Sequence, residues 1–177
     1  MTIGLMKQFP KGALMANGYE EASALAIAGT AMGVFYALLN GFGRIAWGWI
    51  SDRLGRKNSI FLMLASQGVI VILFQWMAGS QALLYLGAAL IGFNFGGNFA
   101  LFPTITADTF GQKFLAQNYG WVFLAYGVGG IFGPILGGKL GDLGNFPLAF
   151  TVLGVLVLVA AGIAWFIRPP TKAPAVS

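Results

Sequence analysis

Long apolar stretches separated by small islands of charge dominate this chain. No Lys, Arg, Asp or Glu occurs from Ala22 to Gly43, Asn58 to Ala107, Phe114 to Gly138 or Leu143 to Ile167. Each run exceeds the roughly 18 residues that suggest a bilayer-crossing helix. The second run is long enough for two such helices, with Gly79, Ser80 and Gln81 as the polar break between them. The runs are continuously apolar rather than alternating, which disfavours strands, and an open sheet would leave its backbone polar groups unsatisfied in lipid. The pattern therefore predicts an all-α integral membrane protein with five full transmembrane helices at about 22–50, 58–79, 81–107, 114–138 and 146–167. Residues 22–168 make up the membrane domain. Arg168, Pro169 and Pro170 end the last helix, leaving 169–177 as a short tail. Residues 1–21 read as the remnant of a sixth, preceding helix followed by an outer loop. Met1 to Met6 are apolar but too few to span, and Lys7, Pro10, Lys11, Gly12, Asn17, Gly18, Glu20 and Glu21 form a polar, turn-prone segment.

Composition sharpens the class. Charged residues make up 8% of the chain and hydrophobic residues 58%, against roughly a quarter charged in a soluble domain. Cysteine and histidine are absent, which removes thiolate and imidazole metal sites and the usual nucleophile and base pairs, so neither an enzyme nor a metal or cofactor site is expected. Ten Lys plus Arg against five Asp plus Glu could suggest nucleic acid, but the cations flank apolar spans instead of forming a stripe. They report topology. Arg53, Arg56, Lys57, Lys113, Arg168 and Lys172 lie at one set of span ends, and Lys7, Lys11 and Lys139 at the other. The richer set belongs in the cytoplasm, which puts the N-terminus outside and the C-terminus inside.

The most distinctive segment joins the first two spans: Gly48, Trp49, Ile50, Ser51, Asp52, Arg53, Leu54, Gly55, Arg56, Lys57. Gly55 permits a tight reversal, and the cations favour the cytosolic face. This stretch resembles the loop signature of the major facilitator superfamily, which recurs between the second and third helices of each six-helix half. On that resemblance the five spans correspond to the eighth to twelfth helices of a twelve-helix transporter, and an N-terminal half is a missing partner. Asn40, Gly41, Gly43, Arg44, Trp47, Gly48, Trp49, Ser51 and Asp52 resemble the eighth helix of the oxalate/formate antiporter family. Gly92, Phe93, Asn94, Gly96, Gly97, Asn98, Phe99, Pro103, Ala107, Asp108, Phe110 and Gly111 are similar to its Gly-rich tenth helix and following loop. The resemblance implies transport of a small organic anion by alternating access, in a bacterial inner membrane.

Arg44 is the residue on which this expectation turns. It precedes Asp52 by eight positions, about 12 Å into the membrane at roughly 1.5 Å per residue. An arginine at depth costs about 2.5–3.5 kcal/mol on insertion scales and generally faces a cavity or a partner. No acid interrupts the apolar runs. A carboxylate cargo, gripped by two parallel hydrogen bonds, would supply the counter-charge; snorkelling to headgroups is the competing reading. Asn40 and Trp47 fall near the same helical face. The resemblance likewise implies that an arginine at this position binds the anion.

Asn94 and Asn98, one turn apart, are candidates for substrate contact or for interhelical hydrogen bonding. Tyr126 stands where the oxalate antiporters that this chain resembles carry a second intramembrane cation, a lysine. Its neutrality favours a monocarboxylate such as formate, acetate, lactate or pyruvate over oxalate. Gly129, Gly130, Gly133, Pro134 and Gly137 read mainly as a close-packing face, with hinge motion as an additional role. Asp108 and Lys113 read as solvated charges of an inner loop. The alternative to a carrier is a truncated, non-transporting membrane fragment or assembly partner.

Overall fold

The computed structural model describes residues 2–143 and 145–166. Arg168, Pro169, Pro170 and Lys172, and with them the tail, lie outside the described residues. Helix α1 (Thr2–Ala16) is followed by five helices long and apolar enough to cross a membrane: α2 (Glu21–Leu54), α3 (Arg56–Met77), α4 (Gln81–Phe110), α5 (Leu115–Asp142) and α6 (Phe146–Trp165). No strand occurs among the described residues. Helix α2 contains a π-helical turn at Ala31–Tyr36, a distortion common at functional sites.

Each reversal has a local cause. Gly55 and Gly111 carry φ of 82° and 81° at the ends of α2 and α4, a left-handed region that glycine enters without a Cβ penalty. Before α6, the Asn145 side chain accepts a hydrogen bond from the Leu148 N–H, satisfying an orphan donor of the first turn.

The first helix departs from the sequence expectation. Instead of a loop from Lys7 onward, the helix continues through Pro10 to Ala16. A proline inside a helix removes one hydrogen bond, but here Pro10 is buried, and neighbouring Phe9 packs on Phe146 and Phe150 of α6 at ring separations of 5.5 and 5.1 Å. Tertiary packing holds the helix past its breaker. The reversal comes instead at Asn17 and Gly18, where Asn17 donates to the Ala13 carbonyl at 2.8 Å and Gly18 takes φ 88°.

Helix α4 forms the centre of the bundle and α5 its least covered element, with 44% and 11% of their most apolar windows buried. Helix α2 packs chiefly on α4, and α3 chiefly on α6. Both crossings run through glycine. A Cβ on Gly92 would lie 2.3 Å from the Tyr36 carbonyl oxygen, one on Gly96 2.1 Å from that of Asn40, and one on Gly43 2.1 Å from that of Phe93. Gly68 and Gly154 make the equivalent close approach between α3 and α6. In lipid, where apolar surface gains nothing by leaving water, such backbone proximity is what binds helices together.

The glycines of α5 behave differently. Gly127, Gly129, Gly130 and Gly138 have open space where a Cβ would stand, so packing within this chain does not explain them. Gly133 is partly covered, Pro134 is exposed and Gly137 is buried.

The signature hairpin also corrects an expectation. Arg56 joins Asp52 at 2.7 Å, the Ser51 hydroxyl at 2.6 Å and Asp108 at 3.0 Å. Asp108 is exposed to solvent, as expected, but it is not a loop residue: it lies in the last turn of α4 and is tied to the α2–α3 turn. Arg53 lies over the Trp49 ring at 3.8 Å, and Lys57 over Trp165 at 4.8 Å.

Candidate functional site

The helical pitch of α2 and its glycine-mediated contact with α4 together place Arg44. With Gly96 pressed on the backbone at Asn40 and Arg44, the Arg44 guanidinium lies 4.7 Å from the centre of the Phe99 ring. Its Nε donates to Asn40 Oδ1 at 3.4 Å, a long bond. No carboxylate pairs with it among the described residues. One planar face is therefore covered by an aromatic ring, a contact worth about 0.5–2 kcal/mol. The terminal N–H groups have no protein acceptor among the described residues, and an arginine can present such groups as a fork to a carboxylate.

Phe99 leads into a half-open cavity of about 290 Å³ between α4 and α5. Its walls are Phe95, Phe99 and Phe102 from α4, and Tyr119, Phe123 and Tyr126 from α5, with Asn98 also in the lining. The rings form a connected surface. Phe99 meets Phe95 edge-on at 5.6 Å and Tyr126 edge-on at 6.3 Å, while Tyr126 stacks on Phe123 at 5.3 Å. Tyr36, from the π-helical turn, abuts Phe95 at 5.9 Å.

The candidate residues divide accordingly. Asn98 and Tyr126 line the cavity; Arg44 meets the same surface through the Phe99 ring, and Asn40 accepts from Arg44. Trp47 does not reach the cavity: it is 6% exposed and packs against Phe93, Met63 and Gly97 in the core. The three-residue step from Arg44 turns it toward α3 and α4. Asn94 is buried and donates to the Ser66 hydroxyl of α3 at 3.0 Å, which makes it interhelical glue. Asn98 lines the cavity, its amide donating to the Phe95 carbonyl of its own helix at 3.2 Å. The hairpin residues Gly48, Asp52, Arg53, Gly55, Arg56 and Lys57 belong to the far end of α2 and its turn. Sequence reasoning left out most of the aromatic wall. Its signal was the three- and four-residue spacing of Phe95, Phe99 and Phe102 and of Tyr119, Phe123 and Tyr126, which marks one face of each helix.

Residues 12–177 match the Major Facilitator Superfamily. Among similar proteins, an oxalate:formate antiporter of Oxalobacter formigenes is 28% identical over 91% of this chain and 40% of its own length. A gallate transporter of Pseudomonas putida is 30% identical over 67% of this chain and 27% of its own. A class B tetracycline resistance protein of Escherichia coli is 32% identical over 74% of this chain and 31% of its own. The chain thus spans well under half the length of these relatives, and their names cover more than one kind of cargo.

Proposed function

Because this chain belongs to the Major Facilitator Superfamily, we propose that it is the C-terminal portion of a secondary transporter that moves a small carboxylate across a bilayer by alternating access. The observation that carries the proposal is Arg44: a guanidinium far from the charged helix ends, unpaired with any acid among the described residues and stacked beside a cavity. In this reading its fork takes the carboxylate, while Asn40 steadies the side chain and Asn98 and Tyr126 face the cargo. A second set of helices, the N-terminal half, closes the path from the open side of α5. Among the relatives, the oxalate:formate antiporter and the gallate transporter are named for carboxylates, which supports this cargo class.

The charged hairpin faces the cytoplasm in this proposal, and a bacterial inner membrane is the host. Arg56 and Asp108 tie the α2–α3 turn to the end of α4, which supports placing Arg53, Arg56, Lys57 and Lys113 on one side.

The test is Arg44→Lys in the complete transporter, reconstituted in liposomes and assayed for carboxylate counterflow. Lysine keeps the charge but loses the planar fork, so uptake should fall at least tenfold while membrane insertion stays normal. Undiminished uptake would overturn the assignment of Arg44. The competing reading, a membrane fragment or assembly partner that transports nothing, draws on the bare face of α5. It predicts stable insertion of the short chain and no carboxylate movement even beside a second half.

A further inference from the structure

Resting on the carboxylate reading above, we infer that the site selects an aromatic monocarboxylate: one carboxylate on Arg44 and one ring held within the aromatic wall of α4 and α5. Two observations carry this. The first is charge. Among the described residues Arg44 is the cation at the aromatic surface, and Tyr126 contributes a phenol. A single guanidinium neutralises a single carboxylate. On the side that this chain builds, a second carboxylate on the same molecule would face phenylalanine rings and two phenols, where a charge without an ionic partner is strongly disfavoured.

The second observation is surface. A formate-sized anion would occupy the arginine and leave the wall unused, whereas the cavity of about 290 Å³ is walled by six aromatic side chains. Rings attract rings in edge-to-face and offset geometries, and Phe99 and Phe123 already meet Tyr126 in those two ways. A planar arene bearing a carboxylate places its anionic end at Arg44, above Phe99, and its ring in the space bounded by Phe95, Phe123 and Tyr126. Asn98 and Tyr119, polar residues of the lining, suit a small ring substituent rather than a second charge.

The experiment is competitive counterflow of labelled benzoate in liposomes holding the complete transporter, with formate and oxalate as rivals. Benzoate should enter, and formate and oxalate should each compete at least tenfold more weakly. Phe99→Leu keeps apolar bulk while removing the ring, and should shift the benzoate-to-formate preference at least tenfold toward formate. Tyr126→Lys adds a second cation, and should shift the oxalate-to-benzoate preference at least tenfold toward oxalate. If formate or oxalate competes as well as benzoate, or both substitutions leave the preferences unchanged, the aromatic selection is wrong. Transport of formate or oxalate without benzoate would overturn this inference and leave the carboxylate reading standing; movement of no carboxylate at all would overturn both.

Discussion

At the residue scale, a polar side chain in a membrane helix either binds a neighbouring helix or faces a cavity, because lipid offers it no partner. Asn94 and Arg44 show the two outcomes. Asn94 is 4% exposed and hydrogen-bonded across to Ser66, so its contribution is to assembly. Interhelical hydrogen bonds in membranes average about 0.6 kcal/mol and reach roughly 1.7 kcal/mol. Asn94→Ala should therefore lower thermal stability in detergent by an amount in that range. Ser66→Ala should do the same, and the double substitution should cost little more than either alone, since both remove one bond. A full additive loss in that cycle would show that the pair does not interact. Among the described residues Arg44 has no such partner beyond Asn40 and the Phe99 face, so its loss should appear in substrate handling and not in folding.

At the element scale, glycine decides which helices touch. Gly96 lies against the α2 backbone at the residues that carry the site, and a Cβ there would fall 2.1 Å from the Asn40 carbonyl oxygen. Backbone cannot rotate aside as a side chain can. Gly96→Ala should thus push α2 off α4 and draw Arg44 away from Phe99, at a cost of about 1–3 kcal/mol in line with overpacked cores. The measurement is the melting temperature of the purified protein together with transport. Gly129 supplies the contrast, since nothing lies within 4 Å of its would-be Cβ. Gly129→Ala should leave the stability of this chain alone within about 0.5 kcal/mol. Loss of transport in the same variant would then report on whatever covers α5 in the complete transporter. An unchanged melting temperature for Gly96→Ala would refute the crossing described above.

At the scale of the whole molecule, the helices and the charged hairpin fix a sidedness that single residues cannot. The absence of cysteine makes this directly readable with single introduced thiols. Cysteines at Lys57 and Gln112 should react with an impermeant reagent from the same side of the membrane, because Arg56 ties the two turns together through Asp108. Cysteines at Gly18 and Ser80 should react from the opposite side, since the α1–α2 and α3–α4 reversals sit at the other ends of the helices, where Gly79 lies against Asn17. If Lys57→Cys and Gly18→Cys were labelled from one side, the arrangement of spans would be wrong. If the Lys57 group were labelled only from outside, the spans would stand and the proposed orientation would reverse. The bundle itself leaves one broad apolar side, α5, thinly covered, which is where the proposed partner half belongs.

The sequence alone determined how many helices are long and apolar enough to cross a membrane, because hydrocarbon thickness is a length requirement that a linear run of apolar residues meets or fails. It also determined the charged hairpin and the two-turn separation of Arg44 from it, since both follow from position along the chain. Tertiary structure alone decided which helical faces meet. The spans are apolar on all sides, so no hydrophobic stripe marks an inner face, unlike in a helix of a soluble protein. Glycine crossings between segments remote in sequence settled the question. The α2–α4 crossing sent Trp47 into the core and held Arg44 over Phe99, while the contacts of α4 with α3 and α5 paired Asn94 with Ser66 and brought two aromatic faces together around one cavity. Packing also left Gly127, Gly129, Gly130 and Gly138 of α5 facing open space. Linear spacing can say that two residues share a helix face, but only the packed neighbours say what that face sees.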